Sequence, residues 1–177
     1  MVRNLTRSRV YQLLEPGPVV LLTTARNERV NVMTMSWHMM VGFEPPLVAC
    51  LVSEANYSFP ALRETGECVL ALPAKKLAKK VVAVENCSGR DTDKFAKIGL
   101  TPVPAEIVGA PLVAECFANL ECKVVDTGFV EKYCLFILEV VMAWRDPAQK
   151  NPRMIHHQGY GTFVVDGGTI KLKSKMR

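Results

Sequence analysis

Alternation of apolar and polar positions begins at residue 19. Val19 to Thr24 and Val30 to Met35 are rich in β-branched residues, and the polar turn Arg26-Asn27-Glu28 separates them, so the pattern predicts a β-hairpin. Pro45-Pro46 then breaks the chain and Leu47 to Val52 resumes as an almost wholly apolar strand, which makes residues 36 to 46 a predicted loop. Further extended runs are Glu67 to Leu72, Leu112 to Thr127 and Lys132 to Trp144. The last two read as a long hairpin, with Cys116, Ala118, Leu120, Cys122 and Val124 inward and Asn119, Glu121 and Lys123 outward. From Met154 to Leu172 short strands are predicted, with Asp166-Gly167-Gly168 turning the last hairpin.

Helical periodicity is confined to short segments. Leu5, Val10, Leu13 and Leu14 form a stripe ended by Pro16-Gly17-Pro18. Ser58 is a predicted N-cap, with Pro60 tolerated in the first turn and Gly66 at the exit. Between Lys75 and Glu85, Leu77, Val81 and Val84 share one face with lysines opposite, and Asp91 or Thr92 can cap a short helix that Gly99 ends. The proline-rich stretch Thr101 to Pro111 is expected to cross the surface. Six to eight strands against three or four short helices predict a mainly β (α+β) fold: a closed or nearly closed antiparallel barrel with peripheral helices, one domain over residues 1–177. No glycine fingerprint for a Rossmann dinucleotide site or a phosphate-binding loop is present, and Gly159-Tyr160-Gly161 lacks the remaining glycine.

One strand carries unusual chemistry. If Val30, Val32, Thr34 and Ser36 share a face, then Asn31, Met33, Met35 and Trp37 share the other, so both mix hydrogen-bonding and large apolar groups. Each buried polar group needs a partner. Two readings stand: a ligand edge that accepts a flat, polar-edged aromatic molecule, or a barrel strand whose polar residues cap its end. The helix start at Ser58 likewise either holds a phosphate or is merely capped.

Composition narrows the class. Of 177 residues, 49% are apolar and 22% charged, which suits a folded domain rather than a disordered chain. No apolar run approaches the roughly 20 residues of a membrane span, and the amino terminus lacks a signal-peptide layout, so a cytoplasmic protein without membrane attachment is expected. The net charge of +5 gathers in Lys75-Lys76, Lys79-Lys80 and the tail Lys171, Lys173, Lys175 and Arg177. Without interleaved aromatics these clusters read as a solvated helix face and a chain end rather than a nucleic-acid site, and they suit an anionic small molecule. Six cysteines without a C-x-x-C pair or a histidine at metal spacing give no expected zinc site. Cys50, Cys68, Cys116, Cys122 and Cys134 fall in apolar runs, as buried free thiols do in a reducing compartment.

Several segments together resemble the flavin-reductase-like family of FMN-binding split barrels, which includes the flavoredoxins. They are Pro18 to Thr24, Asn31 to Trp37, Pro45-Pro46-Leu47-Val48, Ser88 to Phe95, and Pro111 to Cys116 running into Leu120-Glu121-Cys122. The resemblance implies a split barrel, usually a homodimer, with a non-covalent flavin near the subunit interface, FMN ahead of FAD. It assigns Asn31, Thr34 and Ser36 to the ring edge or ribityl chain, Met33 and Trp37 to apolar contact, and Ser58 to the phosphate. Asp93, Lys94 and Phe95 match the family's Asp-basic-Phe motif at the flavin site. NADH or NADPH is a candidate donor, and a redox protein such as a ferredoxin a candidate partner. One departure stands out: many relatives that use NAD(P)H carry Gly-Asp-His before the last long strand, where this chain has Glu131-Lys132-Tyr133. His156-His157 lies elsewhere, as a polar loop pair or a substitute, and no catalytic residue is assigned. The apolar excess in residues 112 to 144 offers a surface for a twofold partner.

Overall fold

In the computed structural model, which describes residues 3, 4, 6, 17–159 and 161–173, the first half runs β1 (Arg3–Asn4), β2 (Val20–Arg26), β3 (Arg29–Met35), β4 (His38–Gly42), β5 (Leu47–Leu51), α1 (Ser58–Thr65), β6 (Glu67–Leu72) and α2 (Ala78–Glu85). The second half adds α3 (Lys94–Ile98), β7 (Pro102–Val103), β8 (Leu112–Val113), β9 (Ala118–Asp126), α4 (Val130–Tyr133), β10 (Leu135–Arg145), β11 (Ile155–Gly159) and β12 (Thr162–Val165). The helical stripe expected from Leu5 to Leu14, Tyr160 of the glycine triplet, and Lys175 and Arg177 of the basic tail lie outside the described residues.

Asn27 and Glu28 both take left-handed backbone angles, with φ of 48° and 62°. Such a two-residue turn carries the twist a hairpin needs, and it sets β2 against β3 from Arg26 opposite Arg29 to Val20 opposite Met35. Every pairing among the described residues is antiparallel. The main sheet has the order β3-β2-β6-β9-β10-β5-β4, with β1 also on β10. The sheet curls, because Met35 of one outermost strand is buried in the same apolar cluster that Met40 of the other packs against.

That inner cluster takes alternate residues of the strands, among them Leu22, Leu70, Leu120, Phe136 and Leu138, and α1 adds Phe59 and Leu62. Leu21, next to Leu22, belongs instead to an outer cluster with Val69, Ala71, Leu77, Val81, Val84 and Phe95, as the two-residue period of a strand demands. Each fully buried Leu or Phe contributes about 2 kcal/mol, so both faces of the central strands stabilise the fold. The stripe read on residues 75 to 85 is thus the face of α2 that covers the sheet.

Several boundaries differ from the sequence reading, each for a tertiary reason. Residues 38–42, expected as loop, form β4 because the edge of β5 is open to them, and His38 to Met40 pair with Cys50 to Val48. The run from Leu112 breaks after Val113, and the run from Lys132 starts as the single turn α4, anchored by buried Val130 and ended by left-handed Cys134. Ser58 is the first residue of α1 rather than its cap, and Asp93, not Asp91 or Thr92, caps α3 by accepting the Ala96 N–H at 3.1 Å. Gly66 and Gly99 end their helices in left-handed geometry, as read. The last hairpin turns between Gly159 and Thr162. Asp166 instead binds His156 Nε2 at 2.6 Å and the Met154 N–H at 3.1 Å. His156 and His157 therefore sit on β11, not in a loop.

Asn119 and Glu121, expected outward, are buried. Residues 104–113 fold over their face of β9, so the stretch expected to cross the surface buries Val108 and Ala110. Glu121 Oε2 accepts the N–H groups of Ile107 at 2.6 Å and Val108 at 3.1 Å, while Oε1 accepts Glu106 N–H at 3.1 Å and Trp144 Nε1–H at 2.7 Å. Asn119 holds Val113 through both its amide oxygen and nitrogen. Four donors on one carboxylate explain how a charge can sit fully inside.

Candidate functional site

A cleft of about 440 Å³ opens where β3, the turn before α1, the end of α2 and the loop after it converge. Asn31, Met33 and Thr34 form one wall; residues 55 to 57 a second; residues 84 to 89 and Lys94 the rest. Its size falls within the range of small-molecule sites, and its lining mixes apolar surface with amides and the hydroxyl residues Thr34, Tyr57 and Ser88. Among the described residues, Glu85 is the one carboxylate that lines it and no histidine does.

Asn31 is the best-defined group there. It is 6% exposed, and its Nδ2 donates to Ser58 Oγ at 2.8 Å, while Thr24 Oγ1 lies 3.4 Å from the same hydroxyl. Asn31 Oδ1 is buried with no hydrogen-bond partner. A buried acceptor of this kind costs free energy until a donor reaches it. Gly89 crosses directly beside it: a Cβ on Gly89 would stand 2.1 Å from Asn31 Oδ1 and 2.7 Å from Tyr57 Cδ1, so only glycine lets this loop close the wall. Arg29 lies over the Tyr57 ring, 6.0 Å from its centroid, and lines an adjoining hollow of about 180 Å³ that shares Asn31 and Tyr57 with the cleft.

The other residues singled out from the sequence divide. Met33 reaches the cleft from β3, and Thr34 does so with its hydroxyl donated to the Val81 carbonyl at 2.8 Å. Ser58 stands behind Asn31 and orients it rather than lining the cleft. Lys94 is on the cleft wall but buried, and its Nζ donates to the Val84 carbonyl at 2.9 Å. Burial lowers its pKa, partly opposed by the neighbouring Cys87 thiol. Asp93 serves as the α3 cap, and Phe95 packs in the outer cluster. Ser36 and Trp37 lie beyond the end of β3, away from this cleft, and Trp37 is 69% exposed. Asn56, Tyr57, Cys87 and Gly89 join the cleft only through the tertiary fold. The local signal for them was only the polar turn before α1 and the glycine after Ser88.

The remaining expected features are also placed. All six cysteines are free; Cys50, Cys68, Cys116 and Cys122 are buried, and Cys87 and Cys134 half-buried. A hydrogen bond with Cys122, opposite it in the sheet, and burial push the Cys68 thiol well up, so it stays protonated. Among the described residues no group of three His, Cys, Asp or Glu is placed to hold a metal ion, and no helix is long and apolar enough to cross a membrane. Glu131 pairs with Arg63 at 2.5 Å and Lys132 lies over the Tyr133 ring.

Fold and cleft together define a curled antiparallel barrel with a cavity at its flank, and comparison with known proteins gives the class a family. Residues 13–163 match the model of the flavin reductase like domain, and the chain belongs to this family. It is 34% identical over 173 residues to the YddH protein of Escherichia coli, covering 90% of this chain and 92% of that one, and 32% identical over 164 residues to a protein of Archaeoglobus fulgidus, covering 88% and 92%. Among solved structures, an FMN-binding domain of a flavin reductase-like enzyme from Shewanella baltica superposes with a TM-score of 0.92 at 24% identity, over 98% of both chains. Flavoredoxin of Desulfovibrio vulgaris (Miyazaki F) gives a TM-score of 0.79 at 26% identity, over 88% of this chain and 90% of that one. The fold is the split barrel that the sequence motifs implied.

Proposed function

We propose that the cleft binds FMN without covalent attachment and that the protein is an oxidoreductase moving electrons or hydride through that flavin. The observation that carries this is Asn31 Oδ1, a buried acceptor without a donor, in a cleft of suitable size on a chain of the flavin reductase like family. A ring N–H or a ribityl hydroxyl is the kind of donor it lacks. Met33, Val84 and Tyr57 supply apolar contact, Asn56 and Ser88 supply polar groups for a hydroxylated chain, and Arg29, in the adjoining hollow over the Tyr57 ring, supplies a cation for a phosphate that reaches it. Bound flavin supplies one- and two-electron redox chemistry; the chain supplies placement and shielding from water.

A second reading is a flavoredoxin-like carrier that exchanges electrons with a partner redox protein and has no rapid NADH or NADPH turnover. It is favoured by the lack of a histidine on the cleft and by Glu131-Lys132-Tyr133, whose Glu131 is committed to Arg63. We further propose a homodimer in the reducing cytoplasm, supported by the exposed apolar residues of β4 and by six free thiols. Titration of the full chain with FMN, FAD and riboflavin, followed by anaerobic addition of NADH or NADPH, tests these readings. Failure to bind any flavin at tens of micromolar, roughly −6 kcal/mol, would overturn the first. Flavin bleaching by a dinucleotide at rates on the order of 10 per second would overturn the second.

A further inference from the structure

We propose that the lysine-rich face of α2 and α3 is the docking surface for a small acidic electron-carrier protein. Behind the cleft lies a hollow of about 510 Å³ whose rim carries Lys79, Lys80 and Lys97 and whose floor includes Ala83 and Ile98. It shares Asn86 and Cys87 with the cleft, so these residues are the partition between a molecule on this face and one in the cleft. Docking here rests on the reading of the cleft as a flavin site, because a redox group behind that partition gives the contact its purpose.

The charge distribution identifies the occupant. Residues 75 to 99 hold seven Lys or Arg against three Asp or Glu, four of the five net positive charges of the whole chain. Lys75, Lys76, Lys79 and Lys97 are exposed, and neither they nor Lys80 form an ion pair among the described residues. Lys80 donates to the Gly99 carbonyl and ties α3 to α2; Lys94 is turned inward onto Val84. The acids of this segment are Glu85, Asp91 and Asp93, and Asp93 is committed to the α3 cap. An array of unpaired ammonium groups around a small apolar floor steers a negatively charged surface over a distance and sets its orientation. A small anion would instead call for converging donors, and these lysines are spread along two helices.

The test uses the FMN-loaded full chain and an acidic [2Fe–2S] ferredoxin as probe, with basic cytochrome c as the opposite-charge control. Association with the ferredoxin should slow about tenfold or more between roughly 20 and 200 mM salt, as screening of long-range attraction requires. The double variant Lys79→Glu, Lys97→Glu should weaken binding about tenfold or more at low salt, with FMN affinity and thermal midpoint unchanged. Lys171→Glu, which does not line the hollow, should leave association alone. Equal ferredoxin binding by parent and double variant, tight binding of cytochrome c instead, or a loss confined to NADPH would each overturn the docking surface. Absence of FMN binding by the parent chain would instead overturn the reading of the cleft, a result the salt and charge-reversal series cannot mimic.

Discussion

Asn31 Nδ2 donates to Ser58 Oγ at 2.8 Å, and this bond commits one end of the amide while leaving the other, Oδ1, as a buried acceptor beside Gly89. The pair joins β3 to the start of α1. It makes a cleft wall out of two segments 27 residues apart.

Replacing Asn31 by Leu keeps the volume and removes both polar ends. Flavin affinity should fall about tenfold, on the order of 1.4 kcal/mol for one lost hydrogen bond. Ser58→Ala acts indirectly, by leaving Asn31 Nδ2 without an acceptor, and should lower stability by about 1–3 kcal/mol as well as affinity. Fluorescence titration with FMN and urea unfolding separate the two effects. An N31L variant that binds FMN as the parent does would remove Asn31 from the site.

Gly89→Ala is expected to do more harm to binding than to folding. The added methyl meets Asn31 and Tyr57 inside van der Waals contact, so one or both must swing into the cleft. The thermal midpoint should shift by a few degrees, while flavin binding drops at least tenfold. Calorimetry beside a flavin titration measures the ratio.

Glu121 should prove more important to stability than any exposed charge. Its removal in Glu121→Ala strands the buried Val108 N–H and leaves the part-buried N–H groups of Glu106 and Ile107 and the Trp144 indole without their acceptor, at a cost of about 3 kcal/mol. Disruption of the exposed Arg63 pair by Glu131→Ala should cost under about 1 kcal/mol. Urea denaturation of the two variants, compared at constant m-value, gives the difference.

His38 makes acid sensitivity predictable in sign. Its Nε2 faces the Pro18 carbonyl at 2.6 Å, and burial holds its pKa below the ordinary 6.5, with that hydrogen bond opposing. Near and below pH 6.5 the unfolded chain therefore binds more protons than the folded one. The contribution of neutral His38 is fully present above pH 6.5 and is lost as pH falls through the lower folded value. Unfolding midpoints measured from pH 7.5 to 5 should decline, and His38→Gln should flatten that decline.

For the proposed homodimer, residues 112 to 144 bury Phe117, Leu120, Phe136 and Leu138 but expose Val125, Phe129 and Tyr133, and a second apolar surface lies at the sheet edge. Met39 and Val41 are exposed on β4, an edge strand, with Met39 61% exposed, and exposed Trp37 immediately precedes that strand. Soluble chains seldom leave such an edge uncovered. Sedimentation at micromolar concentration should show a dimer, and Trp37→Lys with Met39→Lys should shift it to monomer; a parent monomer with flavin fully bound would refute the proposal.

Local pattern determined much of this protein. Two-residue alternation placed the β2–β3 hairpin and the apolar face of β9, the stripe of Leu77, Val81 and Val84 placed α2, and Gly66 and Gly99 marked helix ends, because these choices depend on neighbours within a few residues. The motifs from Pro18 to Cys122 were enough for the family. Tertiary structure decided whatever depended on a remote partner. It turned residues 38–42 into a strand on the free edge of β5 and drew Glu121 inward by offering four donors from residues 106 to 108 and 144. It also left Asn31 Oδ1 unpartnered by bringing Gly89 against it, while Trp37, two residues past the strand, was carried out to solvent. A polar side chain becomes a site residue only when the groups around it are known, and those come from parts of the chain that local periodicity cannot connect.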